Sequence, residues 1–238
     1  MKPPKAPLNM TPSKTLTYKH HAMTSTGSSG FSPQRLMLTV NPTPAAKDSV
    51  FMECHSNLLK GEEAIRLISK GLGGRRFQLQ LLMRGSVEGY QANYFHTVSD
   101  GKGPTLTVVQ SEHDHIFGGY TSVSWSRNIT YYPDLSAFLF QLNKNTLHFP
   151  YRNKECAVRH HSGCLPTFGG GFGFGTDNDL YISEACDRYR NSYCNLGETY
   201  SLGARGMNYG SDDARRYMAG TYKFLVKEME VFRVNFLD

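Results

Sequence analysis

Two glutamates, Glu228 and Glu230, stand two residues apart near the end of the chain. They fall in a strongly β-prone run, residues 221–234, where a regular strand would place both carboxylates on an otherwise apolar face. Burying a carboxylate without a partner is costly, so we expect a bulge, a rim or pocket position, or pairing with a base such as Arg84 or Arg127. Acid–base catalysis is one use for such a pair, but the pattern favours a paired structural or partner-binding role. At least one of the two should be more than half buried and ion-paired.

The thiols and imidazoles are the other groups with chemical potential. None has a recognisable zinc or protease spacing, and free cysteines are most often small buried hydrophobes. His113 and His115 flank Asp114 in a predicted turn, where solvation is favoured over metal binding. A reactive cysteine nucleophile stays an open alternative. The five cysteines are Cys54, Cys156, Cys164, Cys186 and Cys194.

Two glycine-rich stretches superficially resemble nucleotide sites. Residues 100–105 lack the P-loop spacing, and Pro104 removes an amide that should face a phosphate. Residues 169–175 neither follow a clear apolar strand nor open a helix, so a tight β connection is favoured. The sequence therefore predicts no cofactor and no metal.

A β-hairpin at residues 104–125 is the clearest element. Residues 105–111 alternate, with Leu106 and Val108 on one face and Val109 on the other, and the return strand is predicted at residues 115–125. Glycine weakens a strand, so Gly118 and Gly119 indicate a bulge, sheet curvature or a closely apposed neighbour.

The rest of the chain predicts a mainly β protein with flanking helices. Helices are expected at residues 61–70 and 89–99, and a strand at residues 76–84. Residues 184–215 are polar and predicted to loop. This pattern favours a two-sheet antiparallel β-sandwich over residues 51–238. Residues 1–50, rich in Pro, Ser and Thr, are predicted to form a basic tail, disordered or wrapped on a partner.

Charge and composition limit the class of partner. The net charge of +6 is modest, and the scattered lysines and arginines argue against nucleic acid. No apolar run reaches the roughly 18 residues of a membrane span, so no membrane insertion is expected. The odd number of cysteines favours reduced thiols inside the cell, in the cytoplasm, with mitochondria as the alternative.

Several segments in order resemble the TLDc domain family of oxidation-resistance-type proteins. The resemblance covers roughly residues 58–236. Its motifs are Leu81-Leu-Met-Arg-Gly-Ser, Gly103-Pro-Thr-Leu, Ile116-Phe-Gly-Gly-Tyr-Thr-Ser, Ser136-Ala-Phe-Leu-Phe-Gln-Leu, Pro166-Thr-Phe-Gly-Gly-Gly, Asp179-Leu-Tyr-Ile and Lys227-Glu-Met-Glu-Val-Phe.

The resemblance implies a curved two-sheet β-sandwich without an established enzymatic activity. Members of the family are linked to resistance to oxidative stress and to binding of the vacuolar-type proton ATPase. The family's acidic ending corresponds to Glu228 and Glu230. Its glycine signature corresponds to Phe117, Gly118, Gly119, Tyr120 and Thr121.

Three functions follow as hypotheses. The first is a non-enzymatic interaction module that docks on a large assembly, by resemblance the proton ATPase, and regulates it or contributes to oxidative-stress resistance. The second is a structural subunit of another complex, cytoskeletal, axonemal or mitochondrial. The third is an antioxidant or hydrolytic enzyme that uses Glu228 and Glu230 or a reactive cysteine.

Overall fold

The computed structural model describes residues 56–171 and 177–237. The predicted tail, residues 1–50, and the end of the glycine-rich run lie outside these ranges. The described helices are α1 (Glu62–Gly71), α2 (Gly85–Glu88), α3 (Ala92–Ser99) and α4 (Asp212–Arg216), with a short 3-10 turn at Lys154–Cys156. The described strands are β1 (Phe77–Arg84), β2 (Thr105–Ser111), β3 (Ile116–Thr121), β4 (Thr130–Tyr132), β5 (Phe138–Gln141), β6 (Thr146–His148), β7 (Val158–His160), β8 (Cys164–Phe168), β9 (Leu180–Ser183), β10 (Ser192–Cys194), β11 (Lys223–Phe224) and β12 (Val226–Phe236).

The strands form two six-stranded antiparallel sheets. The first has the order β1-β12-β2-β3-β5-β6, and the second has the order β11-β10-β9-β8-β7-β4. The predicted fold class, a two-sheet antiparallel β-sandwich with flanking helices, is confirmed. The strand that carries both glutamates lies inside the first sheet, between β1 and β2.

Two hydrophobic cores share the first sheet. The inner core lies between the sheets and includes Val109 and Met229 of the first sheet and Phe168 of the second. The outer core lies on the other face, where Ile68 of α1 packs with residues such as Val108. Both faces of the first sheet are therefore covered, which explains why its strands carry apolar residues at consecutive positions.

Much of the predicted organisation is confirmed at the level of elements. Helix α1 and strand β1 lie within one residue of the expected bounds. The predicted assignment of side chains to the two faces of β2 is also confirmed, because Leu106 and Val108 belong to the outer core and Val109 to the inner core.

Other boundaries differ from the prediction. The return strand of the hairpin ends at Thr121 rather than at residue 125, because the Asp134 carboxylate binds the Thr121 hydroxyl at 2.7 Å and the Ser122 amide at 2.6 Å. The predicted helix at residues 89–99 begins only at Ala92, and α2 was not predicted. Residues 184–215 are not wholly loop, since they contain β10 and most of α4.

Candidate functional site

Glu230 is completely buried and makes the only ion pair between β12 and β1 among the described residues. Its Oε1 lies 2.8 Å from Arg84 Nη2 and 2.9 Å from Arg84 Nε. The Ser56 hydroxyl donates to Oε2 at 2.5 Å, and the Asn57 amide donates to Oε1 at 2.8 Å. The expectation of a buried, ion-paired glutamate is therefore confirmed. Arg84 is the partner, whereas Arg127 lies elsewhere, 3.7 Å from Asp100.

Glu228 is satisfied in a different way. Its side chain accepts from the Ser86 amide at 3.0 Å, from the Ser86 hydroxyl at 2.5 Å and from the Met229 amide at 2.9 Å. The residue is 8% exposed. We call Ser56, Arg84, Ser86, Glu228 and Glu230 the acidic clasp, because it fastens the start of α2 and the residues before α1 to β12.

A bulge in β12 places Val226 and Glu230 on opposite sides of the sheet. The register with β2 shifts between Val226 and Glu228, so that Lys227 is an extra residue. Val226 consequently packs in the inner core, whereas Glu230 shares the outer side with Phe232. Of the predicted solutions, pairing with a base is confirmed for Glu230. The bulge separates Val226 from the side of Glu230, but Phe232 and Val234 remain on that side.

The glycine segment lies in the same sheet as the clasp. Val108 of β2 pairs with Glu230 on one side and with Gly118 on the other. A Cβ atom on Gly118 would lie 1.9 Å from the Thr107 carbonyl oxygen, and one on Gly119 would lie 2.7 Å from the Phe168 ring of the second sheet. Close approach therefore requires glycine at both positions.

The other three residues of the signature also have packing roles. Phe117 is fully buried against Phe224, with ring centroids 5.4 Å apart. Tyr120 stacks on Phe138 at 5.2 Å, and Thr121 donates to Asp134. A partner-binding role for these residues stays a prediction.

The described thiols are poorly suited to nucleophilic chemistry. Burial raises the pKa of Cys156 to about 11 and that of Cys186 and Cys194 to about 12, and it also raises the pKa of Cys164. The thiolate is the nucleophilic form, so these side chains are almost entirely protonated at neutral pH. Cys54 lies outside the described residues.

The predicted turn of the hairpin is a polar network. Asp114 accepts from Lys227 at 2.7 Å and from Gln110 at 3.0 Å, and the Lys227 ammonium holds the pKa of Asp114 below its usual range. His115 Nδ1 lies 3.1 Å from the Met218 carbonyl oxygen. Within the described ranges, no group of three or more His, Cys, Asp and Glu side chains is placed to hold a metal ion.

Sequence reasoning missed a further buried carboxylate, Asp179. It is 0% exposed and accepts from the amides of Gly197 at 2.7 Å, Thr199 at 2.8 Å and Tyr200 at 3.1 Å. Burial raises its pKa to about 7, although the three amides act in the opposite direction. An acidic residue directly before an apolar strand was the available signal. The amides that bind it lie 18 to 21 residues further along the chain, so the sequence pattern around Asp179 does not identify them.

Two cavities open near the outer core. One of about 540 Å³ is lined by Tyr120 of the glycine segment, together with Leu135 and Phe236 among others. A second of about 320 Å³ shares Phe149 with the first. Neither is lined by Glu228 or Glu230.

These features define a β-sandwich domain in which Glu228, Glu230 and the glycine segment are packed and hydrogen-bonded within the fold. A family model of the TLDc domain matches residues 53–235, and the chain belongs to this family. Comparison with curated proteins gave no match. No helix in the described part of the chain is long and apolar enough to cross a membrane.

Proposed function

We propose that this chain is a non-enzymatic interaction module that docks on a large assembly, and that the assembly is the vacuolar-type proton ATPase. Its role there is regulation of the ATPase or protection against oxidative stress. The observation that carries the proposal is the TLDc match over residues 53–235, because domains of this family are generally non-enzymatic and are linked to that ATPase. Fold alone does not define a partner, so the partner requires a direct test.

The chemistry of the candidate groups supports binding over catalysis. A general acid or base must reach a substrate, yet both glutamates of the acidic clasp are engaged by protein donors and line neither cavity. A peroxide-reducing cysteine needs an accessible thiolate, and burial disfavours that form at the four described thiols.

The test is affinity capture with the tagged full-length chain from a native lysate, followed by direct binding to the purified ATPase. We expect several ATPase subunits to be enriched together and the purified complex to bind. Enrichment of cytoskeletal, axonemal or mitochondrial assemblies without ATPase subunits would contradict the proposal and favour the structural-subunit alternative.

The basic tail is part of the same proposal. Residues 1–47 contain no Asp or Glu, and we expect them to strengthen docking by wrapping the partner. Removing residues 1–48 should weaken capture, with circular dichroism as the check that the remaining chain is folded. Unchanged binding by a folded variant would show that the tail does not contribute.

A further inference from the structure

The two cavities have Phe149 as a common lining residue, and we call the pair the Phe149 groove. Its lining includes Lys70, Arg75, Tyr120, Leu135, Phe149 and Phe236. The larger cavity, of about 540 Å³, can receive a large side chain. The smaller cavity, of about 320 Å³, is lined by the residues of β6.

The groove exposes large apolar side chains. Leu135 is 72% exposed and Phe149 is 43% exposed. Phe149 is supported from below by Phe138, with ring centroids 6.0 Å apart, and Tyr120 stacks on the same ring. Phe149 and Tyr120 are therefore packed on Phe138 before any partner arrives, which lowers the entropic cost of binding.

The described lining of the groove includes a basic side chain that is exposed. Lys70 lines the smaller cavity, whereas the Arg75 guanidinium is already engaged, in part over the Phe236 ring at 3.6 Å from its centre. Among the described residues that line either cavity, none is acidic. Asp134, which precedes the lining residue Leu135, is 5% exposed and accepts hydrogen bonds from Thr121, Ser122 and Ser136.

We propose that the Phe149 groove docks an extended segment of a partner protein that inserts a large apolar side chain and carries carboxylates beside it. This inference rests on the proposed function, because it gives the docking module a docking surface. The chain's own residues 1–47 are a poor occupant, since they contain no Asp or Glu and would bring positive charge beside Lys70. A concave surface also suits an inserted side chain better than a flat membrane.

A selection from a library of random peptides on the immobilised full-length chain tests the partner chemistry without assuming the ATPase. We expect enriched peptides to combine Leu, Phe or Trp with Asp or Glu, and their affinity to fall as salt rises. Enrichment of basic peptides, or no enrichment at all, would overturn the inference.

Variants locate the binding. Leu135→Ser and Phe149→Ser should each weaken the selected peptides by about tenfold, as truncation of an anchor contact does, and Lys70→Glu should weaken them further at low salt. Ile129→Ser is the matched control, because Ile129 is 71% exposed but lines neither cavity. Peptide binding that is unchanged in Leu135→Ser and Phe149→Ser would overturn the assignment of the groove.

Two further measurements separate this inference from the proposed function. If the purified ATPase binds the wild type and all the variants equally, the groove is wrong and the docking proposal survives. If acidic apolar peptides bind at the groove but the ATPase does not bind, the groove survives and the named partner fails. Binding to vesicles of anionic phospholipid that depends on Leu135 and Phe149, without peptide selection, would replace the protein partner with a membrane.

Discussion

The same pair of residue types behaves differently at two places in this chain because burial differs. Glu230 and Arg84 have 0% and 17% of their side chains exposed, and the pair lies within the sheet. Glu62 and Arg66 are one turn apart on α1, 2.7 Å from each other, with 83% and 77% exposed. Water screens the second pair, whereas the first has exchanged its hydration for protein donors.

Glu230→Gln should therefore destabilise the protein by about 3 kcal/mol, because it removes the charge of a fully buried carboxylate that accepts hydrogen bonds from Arg84, Ser56 and Asn57. Glu62→Gln is the matched control and should cost about 0.5 kcal/mol or less. Urea unfolding of both variants measures the difference. Equal, small losses would show that the acidic clasp is not a structural device, and a variant of wild-type stability that fails to bind a partner would restore the partner-binding interpretation of Glu230.

At the scale of elements, the loop between β10 and α4 is organised by one carboxyl group. Asp179 lies directly before β9, and its carboxyl group accepts hydrogen bonds from the amides of Gly197, Thr199 and Tyr200. A Cβ atom on Gly169 would lie 2.0 Å from its Oδ2, so the chain after β8 also closes tightly around it. The arrangement joins three separate segments through a group that has no access to water.

The stability contributed by Asp179 should fall as the pH rises. Burial raises its pKa from the ordinary 3.8 to about 7, so the folded state holds this proton more tightly than the unfolded state. The contribution is then fully present below about pH 4 and is lost as the pH rises through about 7.

Comparison of the wild type with Asp179→Asn isolates this group, because all other titrations occur in both proteins. The difference in unfolding free energy, wild type minus variant, should be larger at pH 5 than at pH 8. A difference that is constant, or that grows towards pH 8, would mean that the three amides outweigh burial and keep the carboxyl ionised.

Over the whole molecule, the four described cysteines all lie in the half of the sandwich built by the second sheet. Cys164 and Cys194 lie on β8 and β10, Cys156 ends the 3-10 turn, and Cys186 precedes β10. All four are buried and free. Their reactivity is therefore a readout of how often the sandwich opens rather than of a dedicated reaction centre.

The native Cys54→Ser variant should react with a disulfide reagent at pH 8 at least about a hundredfold more slowly than the same protein unfolded in guanidinium, because the thiols are both covered and protonated. The substitution removes the cysteine that the structure does not describe. One thiol that reacts rapidly in the native state, together with consumption of peroxide, would support the antioxidant enzyme instead.

The local pattern of apolar and polar residues was sufficient to predict the helices and strands whose burial alternates regularly along the chain. Alternation predicted β1 and the two faces of β2, and a charged start with an apolar stripe predicted α1. The ordered motifs predicted the family, and the cost of burying a carboxylate predicted an ion-paired glutamate before any partner was known. The element predictions follow from the periodicity of helix and strand, and the glutamate prediction follows from the solvation of a single group, whereas the family prediction rests on resemblance of motifs.

The tertiary structure decided what depends on residues far apart in sequence. Arg84 rather than Arg127 became the partner of Glu230, 146 residues away, because β1 and β12 are neighbours in the sheet. Strand β3 ends at Thr121, where the Asp134 carboxylate accepts a hydrogen bond from the Thr121 hydroxyl. Glycine is required at position 119 because the Phe168 ring of the other sheet packs against it. Propensity carries no information on such contacts. The amino-acid pattern was therefore sufficient for the fold class and the family, whereas strand pairing and packing on the outer face of the first sheet brought together the residues of the clasp and the groove.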